Sequence, residues 1–210
     1  MKLYFRPIWI MLALLVLAAC GEPKHAAIAA GATVLVLGDS VSYGTGAGKG
    51  EDYPSLLAAR TGWNVVNAGV PGDTTAGALQ RLPELLEEHR PQLLLIELGG
   101  NDFLRRVPLA DTAANLKSLV NQAREKDIPV VLLAMPRPNL FGAALRSLSD
   151  DPLYEDIAEQ TQTPLVSDIA SEILSRNELK SDPIHPNADG YRQLADKLAE
   201  ALRELGFAPQ

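Results

Sequence analysis

The stretch Thr33-Val34-Leu35-Val36-Leu37-Gly38-Asp39-Ser40 runs from unbroken apolar residues into three small, turn-forming ones. Residues 33–37 do not alternate between polar and apolar, so they predict a strand buried on both faces, as in a parallel sheet. Open α/β sheets present their ligands at the C-terminal ends of such strands, which is where Ser40 stands. Two readings of Gly38-Asp39-Ser40 are open at this point. Ser40 is a nucleophile, or the tripeptide is an ordinary turn made of residues that turns favour.

Working outward, the same punctuation recurs along the chain. Residues 53–61 predict a helix ended by Gly62, and 63–67 a second strand. Residues 74–90 have helical spacing, with Leu79, Leu82, Leu85 and Leu86 on one face and Pro83 as a candidate kink. Residues 93–98 form the most hydrophobic strand, expected at the centre of the sheet. A helix over 111–127 with Asp111 as its cap, a strand over 129–135, a helix over 152–160, a short strand over 164–166 and an amphipathic helix over 187–205 follow. Strands alternating with helices predict a five-stranded parallel sheet covered on both faces, a three-layer α/β/α arrangement.

The 210 residues are enough for one domain with a sizeable core. A net charge of -7 with no basic stripe argues against nucleic acid as a partner. Cys20 is the sole cysteine, which excludes an intramolecular disulfide, a thiolate metal cluster and a paired redox site. The glycine-rich loop 44–50 fails as a phosphate loop, because Lys49 is followed by Gly50 and not by Ser or Thr. It reads as a mobile loop beside Ser40. His89 lies among charged residues and reads as a surface histidine.

Residues 1–19 carry Lys2 and Arg6 ahead of a short apolar run, the pattern of a secretory signal excluded from the fold. That run is short for a membrane-spanning helix. Leu17-Ala18-Ala19-Cys20 resembles the lipobox of bacterial lipoproteins, which implies that Cys20 is lipidated and becomes the mature N-terminus. A plain signal peptide cut near Ala19 is the alternative. Residues 20–32 read as a tether, with His25 as a solvated bystander, and 33–210 as the folded domain.

The predicted strand ends supply the parts that acyl transfer needs. A serine hydroxyl requires an adjacent base. His185, in Asp182-Pro183-Ile184-His185-Pro186, is the histidine placed to act as one, and Asp182 can orient it from the same turn. The attacked carbonyl oxygen requires fixed donors, for which the backbone N–H groups of Ser40 and Gly72 and the side-chain amide of Asn101 are candidates. Each motif alone also suits a tight turn or a helix-entry loop. Four of them at strand ends favour the chemical reading.

Gly38-Asp39-Ser40-Val41-Ser42, the Gly72 turn, Gly99-Gly100-Asn101-Asp102 and Asp182-Pro183-Ile184-His185 resemble, in order, the four blocks of the SGNH (GDSL) hydrolases. The bacterial thioesterase/lysophospholipase and arylesterase group is the most similar. This resemblance covers residues 33–205. It implies a flavodoxin-like three-layer fold, a Ser40–His185–Asp182 triad, an oxyanion hole from Ser40, Gly72 and Asn101, and no metal or organic cofactor. The nucleophile elbow of α/β-hydrolases is a different device, and Ser42 stands where that motif needs Gly.

The expected activity is that of a serine esterase on acyl or acetyl esters, with thioesters an open alternative. A carbohydrate or peptidoglycan O-acetylesterase is the second reading, and a catalytically idle envelope-binding lipoprotein the third. Phe103, Leu104, Val107, Leu140 and Phe141 are candidates for an acyl groove, or else cover the core. Arg105 and Arg106 either meet an anionic group or are a solvated pair. Asp39, displaced from the triad by Asp182, is expected to brace the serine loop through hydrogen bonds. The partners expected are a small-molecule or lipid ester and a bacterial membrane reached through the lipid anchor. The chain is then a monomer in the cell envelope, facing the periplasm or the exterior.

Overall fold

The computed structural model describes residue 25 and residues 27–137 and 147–208. Five parallel strands, β1 (Thr33–Gly38), β2 (Asn64–Gly69), β3 (Leu93–Glu97), β4 (Val130–Leu133) and β5 (Leu165–Val166), form one sheet in the order β2-β1-β3-β4-β5. β1, β3 and β4 are almost wholly apolar, with Thr33 at the start of β1 and Glu97 at the end of β3, because helices cover them on both sides. β2 is one of the two edge strands and is half-exposed along its length. The central position expected for the third strand is the one observed.

Among the described residues the α-helices are α1 (Ser40–Tyr43), α2 (Tyr53–Thr61), α3 (Thr75–His89), α4 (Gly100–Leu104), α5 (Leu109–Arg124), α6 (Leu153–Thr161), α7 (Ile169–Ser175) and α8 (Ala188–Glu204). They pack as two sets, α3-α5-α6 and α2-α8-α7, one on each face of the sheet. Caps fix where the chain turns into helix. Asp52, Thr74 and Asn187 accept hydrogen bonds from the backbone N–H of Ser55, Gly77 and Gly190, at the starts of α2, α3 and α8. The α3 helix runs unbroken through Pro83.

Several boundaries differ from the sequence-based expectation. Helix α5 begins at Leu109 with Pro108 at its cap, so Asp111 lies in the first turn and complements the helix dipole there. Helices α1, α4 and α7 were not expected. His25 is not a solvated bystander: its ring stacks on Phe207 at 4.3 Å. The chain that follows is fastened to the domain, with Ile28 N–H donating to the Phe207 carbonyl at 2.7 Å and Trp63 Nε1 to the Ile28 carbonyl at 3.2 Å. The glycine-rich loop is also held, since Tyr191 Oη donates to the Thr45 carbonyl at 2.8 Å.

The register matters most at the C-terminal edge of the sheet. Gly38 lies opposite Gly69 on one side and Glu97 on the other. The chain leaves β1 for the β2 side and later crosses back to β3, so the ends of β1 and β3 flank the switch point where such sheets bind ligands.

Candidate active site

Ser40 opens α1 directly after β1, and Asp39 caps that single turn by accepting the Val41 N–H at 3.0 Å. Two glycines let α1 sit hard against the sheet. A Cβ on Gly38 would fall 1.9 Å from Ser42 Oγ, and one on Gly69 would fall 2.3 Å from the Tyr43 backbone nitrogen. Asn67 Nδ2 ties the turn down by donating to the Ser42 carbonyl at 2.7 Å. Below it, Glu97 Oε2 accepts from Ser42 Oγ at 2.6 Å and from the Ser42 N–H at 3.0 Å, and Tyr53 Oη lies 2.7 Å from the same hydroxyl. Glu97 is fully buried, and its Oε1 has no hydrogen-bond partner among the described residues.

His185 reaches this point from the far end of the chain. A short 3-10 turn, Asn177–Leu179, leads into a hairpin in which Ser181 N–H donates to the His185 carbonyl at 3.0 Å and Asn187 N–H to the Leu179 carbonyl at 2.8 Å. Asp182 sits in the bend. Its Oδ1 accepts from the Ile184 and His185 N–H groups, both at 2.9 Å, and its Oδ2 lies 2.7 Å from His185 Nδ1. His185 Nε2 then lies 2.8 Å from Ser40 Oγ. Serine, imidazole and carboxylate are thus joined in one line, across 145 residues of sequence between Ser40 and His185.

The electrostatics differ between the two aspartates. Slight burial works to raise the Asp182 carboxyl, but the His185 ring and the two backbone N–H groups outweigh it and hold the group below its ordinary value. Asp39 is nearly fully buried. Burial pushes its carboxyl up from 3.8 to about 6, against the Val41 N–H, the charge of His185 and the Asn101 amide, which pull it down. Burial, and then the charge of Asp39, push Glu97 well above the usual carboxylate range.

Asn101 lies in α4, the turn that follows β3. Gly99 begins that turn at φ 119°, a conformation that disfavours any side chain, and a Cβ there would also fall 2.3 Å from Tyr154 Oη. Asn101 Nδ2 donates to Asp39 Oδ2 at 2.9 Å. Gly72 has a positive φ of 78°, and its carbonyl accepts from Arg105 Nη2 at 2.7 Å. Arg105 is therefore anchored to the Gly72 turn and not one of a free pair.

A cavity of about 250 Å³ opens beside Ser40. Its wall includes Asn101, Leu104, Met135, Leu174, Ile184 and His185. Of the residues expected to handle substrate, Leu104 lines it. Phe103 instead packs edge-on against Tyr154, at 6.3 Å between ring centroids, with the Arg137 guanidinium 5.4 Å from its ring. Neither Val107 nor Gly72 belongs to the described wall. Leu140, Phe141 and Cys20 lie outside the described residues. Sequence reasoning missed Met135, Leu174, Lys180 and the buried Glu97–Ser42–Tyr53 network. An acid inside an otherwise apolar strand is the one signal that pointed to Glu97. Among the described residues no group of three or more His, Cys, Asp or Glu side chains is placed to hold a metal ion.

Comparison with known proteins gives a consistent result. The GDSL-like lipase/acylhydrolase family model matches residues 36–193. Esterase TesA of Pseudomonas aeruginosa is 35% identical over 184 residues, covering 84% of this chain and 90% of that protein. Thioesterase 1/protease 1/lysophospholipase L1 of Escherichia coli K12 is 32% identical over 182 residues, covering 84% of this chain and 86% of that protein. The crystal structure of the psychrotrophic esterase EstA from Pseudoalteromonas sp., inhibited by monoethylphosphonate, superposes with a TM-score of 0.72 at 29% identity, covering 82% of this chain and 97% of that one. The chain belongs to the GDSL-like lipase/acylhydrolase family.

Proposed function

We propose that this carboxylic ester hydrolase attacks its substrate with Ser40, with His185 as general base and Asp182 as the group that orients it. The observation that carries this reading is the pair of contacts at His185, 2.8 Å to Ser40 Oγ and 2.7 Å to Asp182 Oδ2. His185 takes the serine proton as Oγ adds to the carbonyl carbon, and Asp182 stabilises the imidazolium that results. The oxyanion is met by the Ser40 and Gly72 backbone N–H groups and by Asn101 Nδ2, which has a second N–H besides the one given to Asp39. His185 then returns the proton to the leaving alcohol. Water activated by the same imidazole releases the acid from the acyl-enzyme.

The substrate class follows from the cavity. Its wall is mostly apolar and its volume of about 250 Å³ is well beyond that of a single water-sized group. That favours acyl chains of short to medium length over acetyl alone, and supports an acyl esterase over an O-acetylesterase. The names of the relatives extend the reading to lysophospholipids, aryl esters and thioesters as substrates to be tried. A fluorophosphonate probe tests the assignment. The expected result is one covalent adduct on Ser40, located by mass spectrometry, and its loss in His185→Ala. An intact, unlabelled protein would instead favour an idle envelope binder.

The proposal extends to the cell envelope, where a monomer anchored through lipidated Cys20 would face its ester substrates. Support comes from the sequence of residues 1–20. Detergent phase partitioning of the full chain and of Cys20→Ser tests it: the wild type enters the detergent phase and the variant stays in the aqueous phase.

A further inference from the structure

The cavity wall contains three ionisable side chains besides its apolar residues: Asp39, His185 and Lys180. Two of them are fully engaged. Asp39 accepts from the Val41 N–H and from Asn101, and both ring nitrogens of His185 are used by Asp182 and Ser40. Lys180 has no ion pair or side-chain hydrogen bond among the described residues.

The backbone of Lys180 is nonetheless fixed. It pairs antiparallel with Pro186, and Asn187 Nδ2 donates to its carbonyl at 3.4 Å. Lys180 thus stands on the hairpin that carries His185, beside a residue, Leu179, that is buried in the core. Lys180 lines a mostly apolar cavity from a rigid hairpin and has no ion pair among the described residues, so its side chain is suited to meet an anion brought in by the substrate. The chain's net charge of -7 sharpens the point. The field of such a protein repels anionic substrates, so a local cation is needed to accept one.

Resting on the reading of Ser40 as nucleophile, we propose that Lys180 is a specificity residue that selects esters carrying an anionic group, a carboxylate or a phosphate, within reach of the cavity. The charge is contributed by the substrate's acyl or alcohol portion. Lys180 takes no part in the bond-breaking step, so its effect falls on substrate choice.

The test compares matched ester pairs in the wild type, Lys180→Met and Lys180→Arg. On the acyl side, p-nitrophenyl hemiglutarate is paired with p-nitrophenyl 5-methylhexanoate, in which an isopropyl group replaces the carboxylate. On the alcohol side, 4-carboxyphenyl butyrate is paired with 4-carbamoylphenyl butyrate. Spontaneous hydrolysis is subtracted in every case. The proposal predicts an anionic-to-neutral ratio of kcat/KM that is higher in the wild type than in Lys180→Met by on the order of tenfold in at least one pair, as expected for a hydrogen bond to a charged group. The pair that responds identifies the side that carries the anion. Lys180→Arg retains most of the ratio. Because the two esters of a pair are compared within one variant, any change in turnover common to both cancels from the ratio. A ratio equal in wild type and Lys180→Met for both pairs overturns the proposal, while Ser40-dependent turnover of the neutral esters leaves the esterase reading intact.

Discussion

Asp39 Oδ2 accepts a hydrogen bond from Asn101 Nδ2 at 2.9 Å, so the residue before the proposed nucleophile orients the amide proposed to meet the oxyanion. Asn101→Ala is expected to lower kcat by about a hundred- to thousandfold with little change in KM. Asp39→Ala should lower kcat for the same reason and by less, since the amide remains but is free to turn. The double variant should lose less than the product of the two single losses, because both act on one donor. Steady-state kinetics on a p-nitrophenyl ester measures all three, and strictly multiplicative losses would contradict the coupling.

The same carboxylate makes activity and stability pull apart. Burial raises Asp39 from 3.8 to about 6, so the native state binds this proton more tightly than the unfolded chain does. The contribution is fully present below pH 3.8 and is lost as pH rises through about 6. Asp39→Asn removes the buried charge. It should therefore melt at a higher temperature than the wild type at pH 7.5, with the gain shrinking as pH falls from about 6 towards 3.8, while kcat drops. Thermal melts across that pH range check the sign.

Asp182 behaves in the opposite way. Its carboxyl is held below the ordinary value, so its stabilising contribution is present above the unfolded value and is lost as pH falls through the lower native one. Asp182→Asn keeps the shape of the bend but no longer selects the imidazole tautomer that accepts the serine proton. A loss in kcat of about a thousandfold or more is expected, with the circular dichroism spectrum unchanged.

Gly69 lies at the end of β2, where a Cβ would come within 2.3 Å of the Tyr43 nitrogen. Gly69→Ala must push α1 away from the sheet and carry Ser40 with it. The expected result is a loss of about 1–3 kcal/mol in unfolding free energy, read from denaturant titration. A larger proportional loss in kcat/KM than this destabilisation explains should accompany it.

How much of this was legible in the sequence depends on the length of each signal. β1, β3 and β4 announce themselves because a strand buried on both faces is a nearly continuous apolar run. Ser40 and Asn101 stand in short motifs at predicted strand ends, Asp182 and His185 in a short motif just before the last helix, and the fold brings all four to one place. The single turns α1 and α4 are shorter than any periodicity window, so they were invisible. Phe103 was misplaced for the same reason. Within α4 it points its contacts to Tyr154 while its neighbour Leu104 lines the cavity, a distinction that depends on helical phase. Met135, Leu174 and Lys180 come from separate elements, and only the folded chain gathers them into one wall.

The central claim is that Ser40 is the nucleophile. The most direct measurement is turnover of p-nitrophenyl butyrate by purified wild type and Ser40→Ala, with matching thermal melts to establish that both are folded. The account predicts that removing the hydroxyl lowers kcat by several orders of magnitude at unchanged stability. Ser40→Ala protein that turns over at a rate near the wild type, in a preparation free of contaminating esterase, would contradict it.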